Sequence, residues 1–462
     1  MEQIIRRDSY LNRLIEKKEN GLIKVITGIR RCGKSYLLFN LFYDYLVESG
    51  VKEEQIITVA LDDDIFVQYR DPDELSKYLR SKIVNKEQYY ILIDEVQYAI
   101  TKDELKNPEN IRLYNVLNGL MRLRNVDIYV TGSNSKMLTK DVLTAFRGRG
   151  DEVKVFPISF KEYYDFVGGD KSDAYEEYAL YGGMPLVLSK KSDAEKMSYL
   201  RGLFTEVYFK DIVERYDIAL PDVLEELTDD LCSSIGSLTN ASKIANTLQS
   251  VKGIKVSSTT ISSYLNYLIE SFLFSNAKRY DVKGKRYFEY PSKYYCTDVG
   301  LRNARLNFRQ QEETHIMENI IYNELLCRGY SVDVGVVDIV ERKDNKQSKK
   351  QCEIDFVVNV GPKKYYIQSA LNVSDPTKMD TELRPLKNTN DFFKKIIVSK
   401  TAQKPWTDDD GILHLGLYEF LLNDYTSANK KRRYGGAFYC LKNMSKCALK
   451  ICENVRNKPC KT

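Results

Sequence analysis

Residues Gly28-Ile29-Arg30-Arg31-Cys32-Gly33-Lys34-Ser35 spell G-x-x-x-x-G-K-S, a combination suited to holding phosphate. The glycines let the backbone turn until several N–H groups aim at one anion, and the start of a following helix adds the positive end of its dipole. Lys34 is expected to reach the β and γ phosphates of a nucleotide, and the Ser35 hydroxyl to ligate Mg²⁺. Further along, Tyr89 to Glu95 read YYILIDE, a hydrophobic run ending in two acids. Asp94 there suits a Mg²⁺ held directly or through water, and Glu95 suits activation of an attacking water. A buried strand with a solvated acidic turn would give the same string. Its pairing with a phosphate loop favours ATP and Mg²⁺ as cofactors.

Two more stretches offer groups for the same chemistry. VDIYVTGSN, at 126–134, ends in small polar residues, so Ser133 and Asn134 are expected to hydrogen-bond the attacking water or the γ-phosphate. AFRGRGDEV then places Arg147 and Arg149 in a Gly-rich turn. Such an arginine either completes a neighbouring subunit's site in a homo-oligomer, stabilising charge on the transferred phosphoryl group, or is a solvated face.

The elements that must position these groups are legible in the flanks. LIKVIT, just before Gly28, is a short β-branched run suited to a buried parallel strand, and YLLFNLFYDYL after Ser35 is an apolar helical stretch. Taken in order, GIRRCGKS, YYILIDEVQ, VTGSNSKML and FRGRG resemble the prokaryotic AAA+ ATPases related to the archaeal and STAND-like groups. YALYGGMPLVL and YFKDIVERYDI resemble the helical lid of that family. The resemblance covers residues 1–425. It implies an α/β protein: an AAA+-like P-loop core with a parallel sheet at 1–160, a helical lid at 161–220, a winged helix at 221–309, and a restriction-endonuclease-like α/β domain of unassigned role at 310–425. Residues 426–462 remain as a basic tail.

In the middle of the chain, LTNASKIANTL offers Thr239 or Asn240 as a helix N-cap, and Ser257-Ser258 cap a second helix, TTISSYLNYLIESFLF. This is helix-turn-helix spacing. Two aromatic-rich strands then flank Lys283-Gly284-Lys285, which reads as a β-hairpin wing. Basic residues interleaved with Tyr suit contacts to DNA phosphates, and a module used only between proteins fits the same pattern.

Near the C-terminus, HIMENIIYNELLCRG is a helix carrying Glu318, and CEIDFVV is a strand with Asp355 at its centre. An acid on a helix, an acid on a strand and a (D/E)xK tripeptide on the next strand make the layout of PD-(D/E)xK nucleases, whose acids hold Mg²⁺. Here the tripeptide is Gln368-Ser369-Ala370, without a lysine. Lys363 and Lys364 stand just upstream. A nuclease-like fold that has lost cleavage is the expectation, with binding of nucleic acid or a partner helped by the basic loop Arg342–Lys350.

Bulk properties agree with an ordinary globular protein. The chain has 462 residues, 43% hydrophobic and 29% charged, too long for a single core. No apolar run reaches the roughly 20 residues of a membrane span, and the N-terminus lacks a signal-peptide pattern, so a cytoplasmic protein without membrane contact is expected. None of the nine cysteines forms a CxxC pair, and free thiols are expected rather than a zinc site. The functional expectation is a Mg²⁺-dependent ATPase that couples nucleotide state to DNA or to a partner. A slow ATP-dependent switch acting through protein contacts and an active DNA nuclease are the alternatives.

Overall fold

A computed structural model describes residues 4–106, 111–133, 150–288, 291–343, 346–372, 375–401 and 404–425. The expectations for Asn134, Arg147, Arg149 and the basic tail lie outside these residues. The described residues up to Leu421 belong to one compact unit. Among the described residues the strands make three sheets.

The first sheet joins β1 (Ile23–Thr27), β2 (Ile56–Ala60), β3 (Tyr89–Asp94), β4 (Val126–Gly132) and β5 (Gly150–Lys154), all parallel, in the order β2-β3-β4-β1-β5. β1, β3 and β4 are buried along their whole length, because helices cover both faces of a parallel sheet; that is why their sequences are near-continuous apolar runs. One polar interruption, Lys24 within β1, pairs in the interior with Asp127 of β4, which also accepts a 2.8 Å hydrogen bond from the Tyr129 hydroxyl. β4 lies between β1 and β3, so the ends of the phosphate-loop strand and the acidic strand stand one strand apart.

Helices follow over Phe160–Val167, Lys171–Tyr181, Asp193–Gly202 and Leu203–Arg215, the last opening with a π-type stretch at Leu203–Phe209. Ser159 and Ser192 start two of them with reciprocal capping boxes to Glu162 and Glu195. Pro221–Ser233 begins the next segment. It continues through β6 (Leu238–Thr239), the helices Ala241–Lys252 and Ser258–Glu270, and β7 (Phe274–Ala277). Asn240 and Ser257 are the N-caps, accepting from Lys243 N (2.8 Å) and Thr260 N (3.0 Å). The second helix ends where Phe272 turns left-handed at φ 60, so Phe274 begins a strand rather than extending the helix.

Here the structure departs from a simple wing. β8 (Arg279–Asp281) and β9 (Arg286–Tyr287) do flank Lys283-Gly284-Lys285, but β8 pairs in parallel with β11 (Ser331–Lys343) of the C-terminal sheet. The chain then returns as β10 (Ser292–Cys296), which sits between β6 and β7 to complete a three-stranded sheet. The unpaired edge of a 13-residue strand explains the difference, since its N–H and C=O groups take the partner within reach.

The remaining strands are β12 (Lys346–Val360), β13 (Lys363–Ala370), β14 (Lys394–Ser399), β15 (Trp406–Thr407) and β16 (Leu413–Gly416). They complete an eight-stranded mixed sheet, β15-β16-β14-β13-β12-β11-β8-β9. The helices Glu313–Cys327 and Pro376–Lys387 pack on it. Of the stretch expected as a basic loop, Arg342–Lys350, residues 342–343 and 346–350 lie instead in β11 and β12, paired from Lys343↔Lys346. Backbone pairing outweighs the repulsion of like charges that water screens. No helix among the described residues is long and apolar enough to cross a membrane.

Candidate nucleotide site and a second acidic cluster

The loop after β1 can hold its shape only with glycine at two positions. A Cβ on Gly28 would stand 2.1 Å from the Val155 carbonyl oxygen, and Gly33 has φ +97. Arg31 also adopts a left-handed conformation, φ 62, a strain of the kind that collects at functional sites. From Lys34 to Glu48 the chain is continuously helical, with a π-type stretch at Leu37–Phe42. Lys34 is buried, and its ammonium donates to the carbonyls of Gly28 (3.0 Å) and Ile29 (3.1 Å). Cys32 is fully buried, and burial pushes its thiol pKa up, so it is a packing residue of the loop.

Asp94 ends β3, with Thr131 of β4 donating to its carboxylate and Ser35 hydrogen-bonded to it. Burial raises the Asp94 pKa, and these two hydroxyls work against that shift. A buried carboxylate beside a serine hydroxyl is a pair of hard oxygen donors, which fits Mg²⁺. Glu95 follows in a left-handed conformation (φ 51), and its N–H donates 3.0 Å to the Thr131 hydroxyl. Gln97 donates from one amide nitrogen to the Glu95 carboxylate and, at 3.3 Å, to the Ser133 hydroxyl. The ends of β1, β3 and β4 thus bring Lys34, Ser35, Asp94, Glu95 and Ser133 to one edge of the sheet. Thr131 and Gln97 were not singled out from the sequence, although both lie inside quoted strings, VTGS and IDEVQ.

Residues outside the sheet clamp the loop. Arg7 is buried and donates to the carbonyls of Cys32 (3.1 Å) and Phe156 (2.6 Å), and it pairs with Glu162 at 3.1 Å. Tyr208 donates 2.7 Å to the Arg30 carbonyl, and the Arg30 side chain meets the Tyr98 hydroxyl (3.2 Å) and Asp211 (3.6 Å). The helices therefore touch the phosphate loop directly. A second joint connects them onward: Asp298, buried, accepts from Gly183 N (2.7 Å) and Leu301 N (3.0 Å). Burial pushes its pKa up to about 6 against those bonds. A Cβ on Gly182 would clash with Asp298 at 2.3 Å, and one on Gly183 with the Ile158 carbonyl at 2.0 Å. The Gly-Gly pair is required for that contact.

Glu318, Asp355 and Gln368 are also brought together, on the helix Glu313–Cys327, β12 and β13. The Gln368 side chain accepts from Asp355 N (3.2 Å) and donates to Glu382 (2.8 Å). Glu353 joins the acids from the same face of β12, two residues before Asp355. At their centre stands Lys293 of β10, which no motif had marked. Lys363 and Lys364, at the start of β13, are not members of this cluster: Lys364 lies over the Tyr280 ring and bonds its hydroxyl (3.2 Å).

Comparisons with known proteins add three findings. An AAA domain matches residues 20–164, and a domain of unknown function (DUF8612) matches residues 172–312. An uncharacterized protein of Haemophilus influenzae is 33% identical over 425 residues, which is 91% of this chain and 99% of that one, and an uncharacterized protein of Methanocaldococcus jannaschii is 26% identical over 431 residues, covering 88% and 89%. Among solved structures, a Walker-type ATPase of Pyrococcus abyssi is similar over 66% of this chain and 96% of its own, with a TM-score of 0.47 and 17% identity.

Proposed function

We propose, from the AAA domain matched at residues 20–164 in a chain that belongs to one family with the Haemophilus influenzae protein, that it hydrolyses ATP and passes the nucleotide state to a DNA- or partner-binding surface. The observation that carries this reading is the joint placement of Lys34, Ser35, Asp94 and Glu95 at one edge of the parallel sheet, with lid helices bonded to the same loop. The loop N–H groups and Lys34 bind the phosphates. Ser35 and Asp94 would hold Mg²⁺, which neutralises negative charge on them. Glu95 takes a proton from the attacking water, with Gln97 orienting its carboxylate and Ser133 lying beside both.

The lid is the transmission. Movement of phosphate against Arg30 is felt at Tyr208 and Asp211, and the helices carry it through the Gly182-Gly183 turn to Asp298. We read the helices Pro221–Ser233, Ala241–Lys252 and Ser258–Glu270 with β6, β7 and β10 as a winged helix. Its exposed face bears Lys252, Lys255 and Ser257 to Thr259, which suits phosphate and groove contacts. The hairpin β8–β9 is tied into the C-terminal sheet, so this helix N-terminus, not the wing tip, is the face that engages.

The test is steady-state ATP turnover with and without duplex DNA. Acceleration by DNA that is lost in a Lys252→Glu/Lys255→Glu protein supports the coupling. Turnover indifferent to DNA points to the slow switch acting through protein contacts, and an unchanged Lys34→Ala protein contradicts the site itself.

A further inference from the structure

The C-terminal acids have the layout of a metal site, but their surroundings do not fit a metal. Lys293 Nζ lies 2.6 Å from Glu353 Oε1, 2.9 Å from Glu318 Oε1 and 3.3 Å from Asp355 Oδ1. An ammonium has three protons to donate, and each has a carboxylate here. Two other donors are also engaged: the Tyr295 hydroxyl bonds Glu318 Oε1 at 2.7 Å, and Ser369 N bonds Asp355 Oδ2 at 2.9 Å. Over Glu318 the chain turns at Gly236, where a Cβ would come within 3.0 Å of the carboxylate. The side chains of Lys293, Glu318 and Asp355 are 5%, 10% and 11% exposed, while that of Glu353 is 33% exposed and forms the open rim.

Mg²⁺ would need near-octahedral oxygens at about 2.0–2.1 Å, and the ammonium stands where that ion would sit. Among the described residues no set of three or more His, Cys, Asp or Glu is arranged to hold a metal ion. The tripeptide position agrees: Gln368 turns its amide to Asp355 N and Glu382 instead of offering charge to the cluster. Burial alone would lower the Lys293 pKa, but Asp355, Glu318 and Glu353 outweigh it, so the ammonium stays charged. Burial and the neighbouring Asp355 raise the Glu318 pKa to about 7, with Lys293 and Tyr295 opposing.

We propose that Lys293 is a built-in counter-cation: its ammonium takes the cation position of this acid set, excludes divalent metal, and clamps β10 onto the helix Glu313–Cys327 and β12. β10 is the central strand of the three-stranded sheet, so the clamp joins the proposed winged helix to the C-terminal sheet. The nuclease-like half then serves as a metal-free anchor for the surface that the ATPase moves. The clamp does not depend on the ATPase reading.

The experiment titrates Mn²⁺ calorimetrically into the full-length protein without nucleotide and follows thermal unfolding in EDTA and in Mn²⁺. The native protein is expected to bind no Mn²⁺ that Asp355→Asn or Glu318→Gln removes, and to show no Tm response to Mn²⁺ beyond that of Asp355→Asn. Lys293→Met, which keeps the alkyl stem and drops the charge, is expected to lower Tm in EDTA and to regain part of it with one Mn²⁺ per chain. Asp355-dependent Mn²⁺ binding by the native protein would overturn the proposal, as would a Lys293→Met protein that gains no response to Mn²⁺. Should Lys293→Met fail to fold, the native titration against Asp355→Asn and Glu318→Gln still decides.

Discussion

At the end of β3, two carboxylates lie close to a lysine without being paired to it. The Lys34 ammonium is directed at the Gly28 and Ile29 carbonyls of its own loop, while Asp94 and Glu95 meet the hydroxyls of Ser35 and Thr131 and the amide of Gln97. In the C-terminal cluster, Lys293 contacts Glu318, Glu353 and Asp355 directly. The ingredients match and the wiring differs. Acids met by neutral donors leave the place of a cation and a water open; acids met by an internal ammonium already have that place filled. Where the lysine points, rather than how many acids assemble, separates a site that works on a ligand from one that holds the fold.

Substitutions can break this contrast from either side. The largest effect is expected for Lys34→Ala, which should abolish ATP binding in a fluorescent-nucleotide assay and turnover with it, while leaving Tm near native. Lys293→Met should do the reverse: ATP binding persists, and stability falls by about 3–5 kcal/mol in chemical unfolding because three buried or half-buried acids lose their counter-charge. If both changes damaged both properties equally, the two clusters would not be distinct. Thr131→Val removes a donor to Asp94 and an acceptor for Glu95 N, and is expected to slow turnover roughly tenfold with little change in nucleotide affinity.

The smallest effect concerns the joint between the Gly182-Gly183 turn and Asp298. Asp298 has its pKa pushed from the ordinary 3.8 up to about 6 by burial, so the folded protein holds that proton more tightly than the unfolded chain does. Its contribution to stability is therefore fully present below about pH 4 and is lost as pH rises through 6. Measured against Asp298→Asn, the native Tm should lose ground between pH 4 and 7 and then level off. A difference that stays constant over this range would remove Asp298 from the account.

Much of the first half was legible because its signals are local. GIRRCGKS, between an apolar run and a helical run, places loop, strand and helix together, and YYILIDE supplies its partner strand. Caps at Asn240 and Ser257 were readable for the same reason. What escaped depends on distant partners. LIKVIT contains a lysine whose burial makes sense only with Asp127. Lys283-Gly284-Lys285 does mark a turn, but nothing in KRYDVKGKRY says that β8 will take the edge of β11. Lys293 looked like one more basic residue in a Tyr-rich stretch, because its acids lie elsewhere in the sequence and come from a helix and another sheet. Arg7, the buried clamp on the phosphate loop, carried no motif at all.

In the proposed function, hydrolysis at the end of β3, beyond nucleotide binding, depends on Glu95 as the base. Glu95→Gln keeps size and hydrogen bonding but removes the charge that accepts a proton. ATP binding and steady-state turnover should be measured on the same preparation. Native ATP affinity is expected, with turnover reduced by roughly 10²–10⁴-fold. Turnover unchanged in Glu95→Gln, with binding intact, would contradict Glu95 as the base.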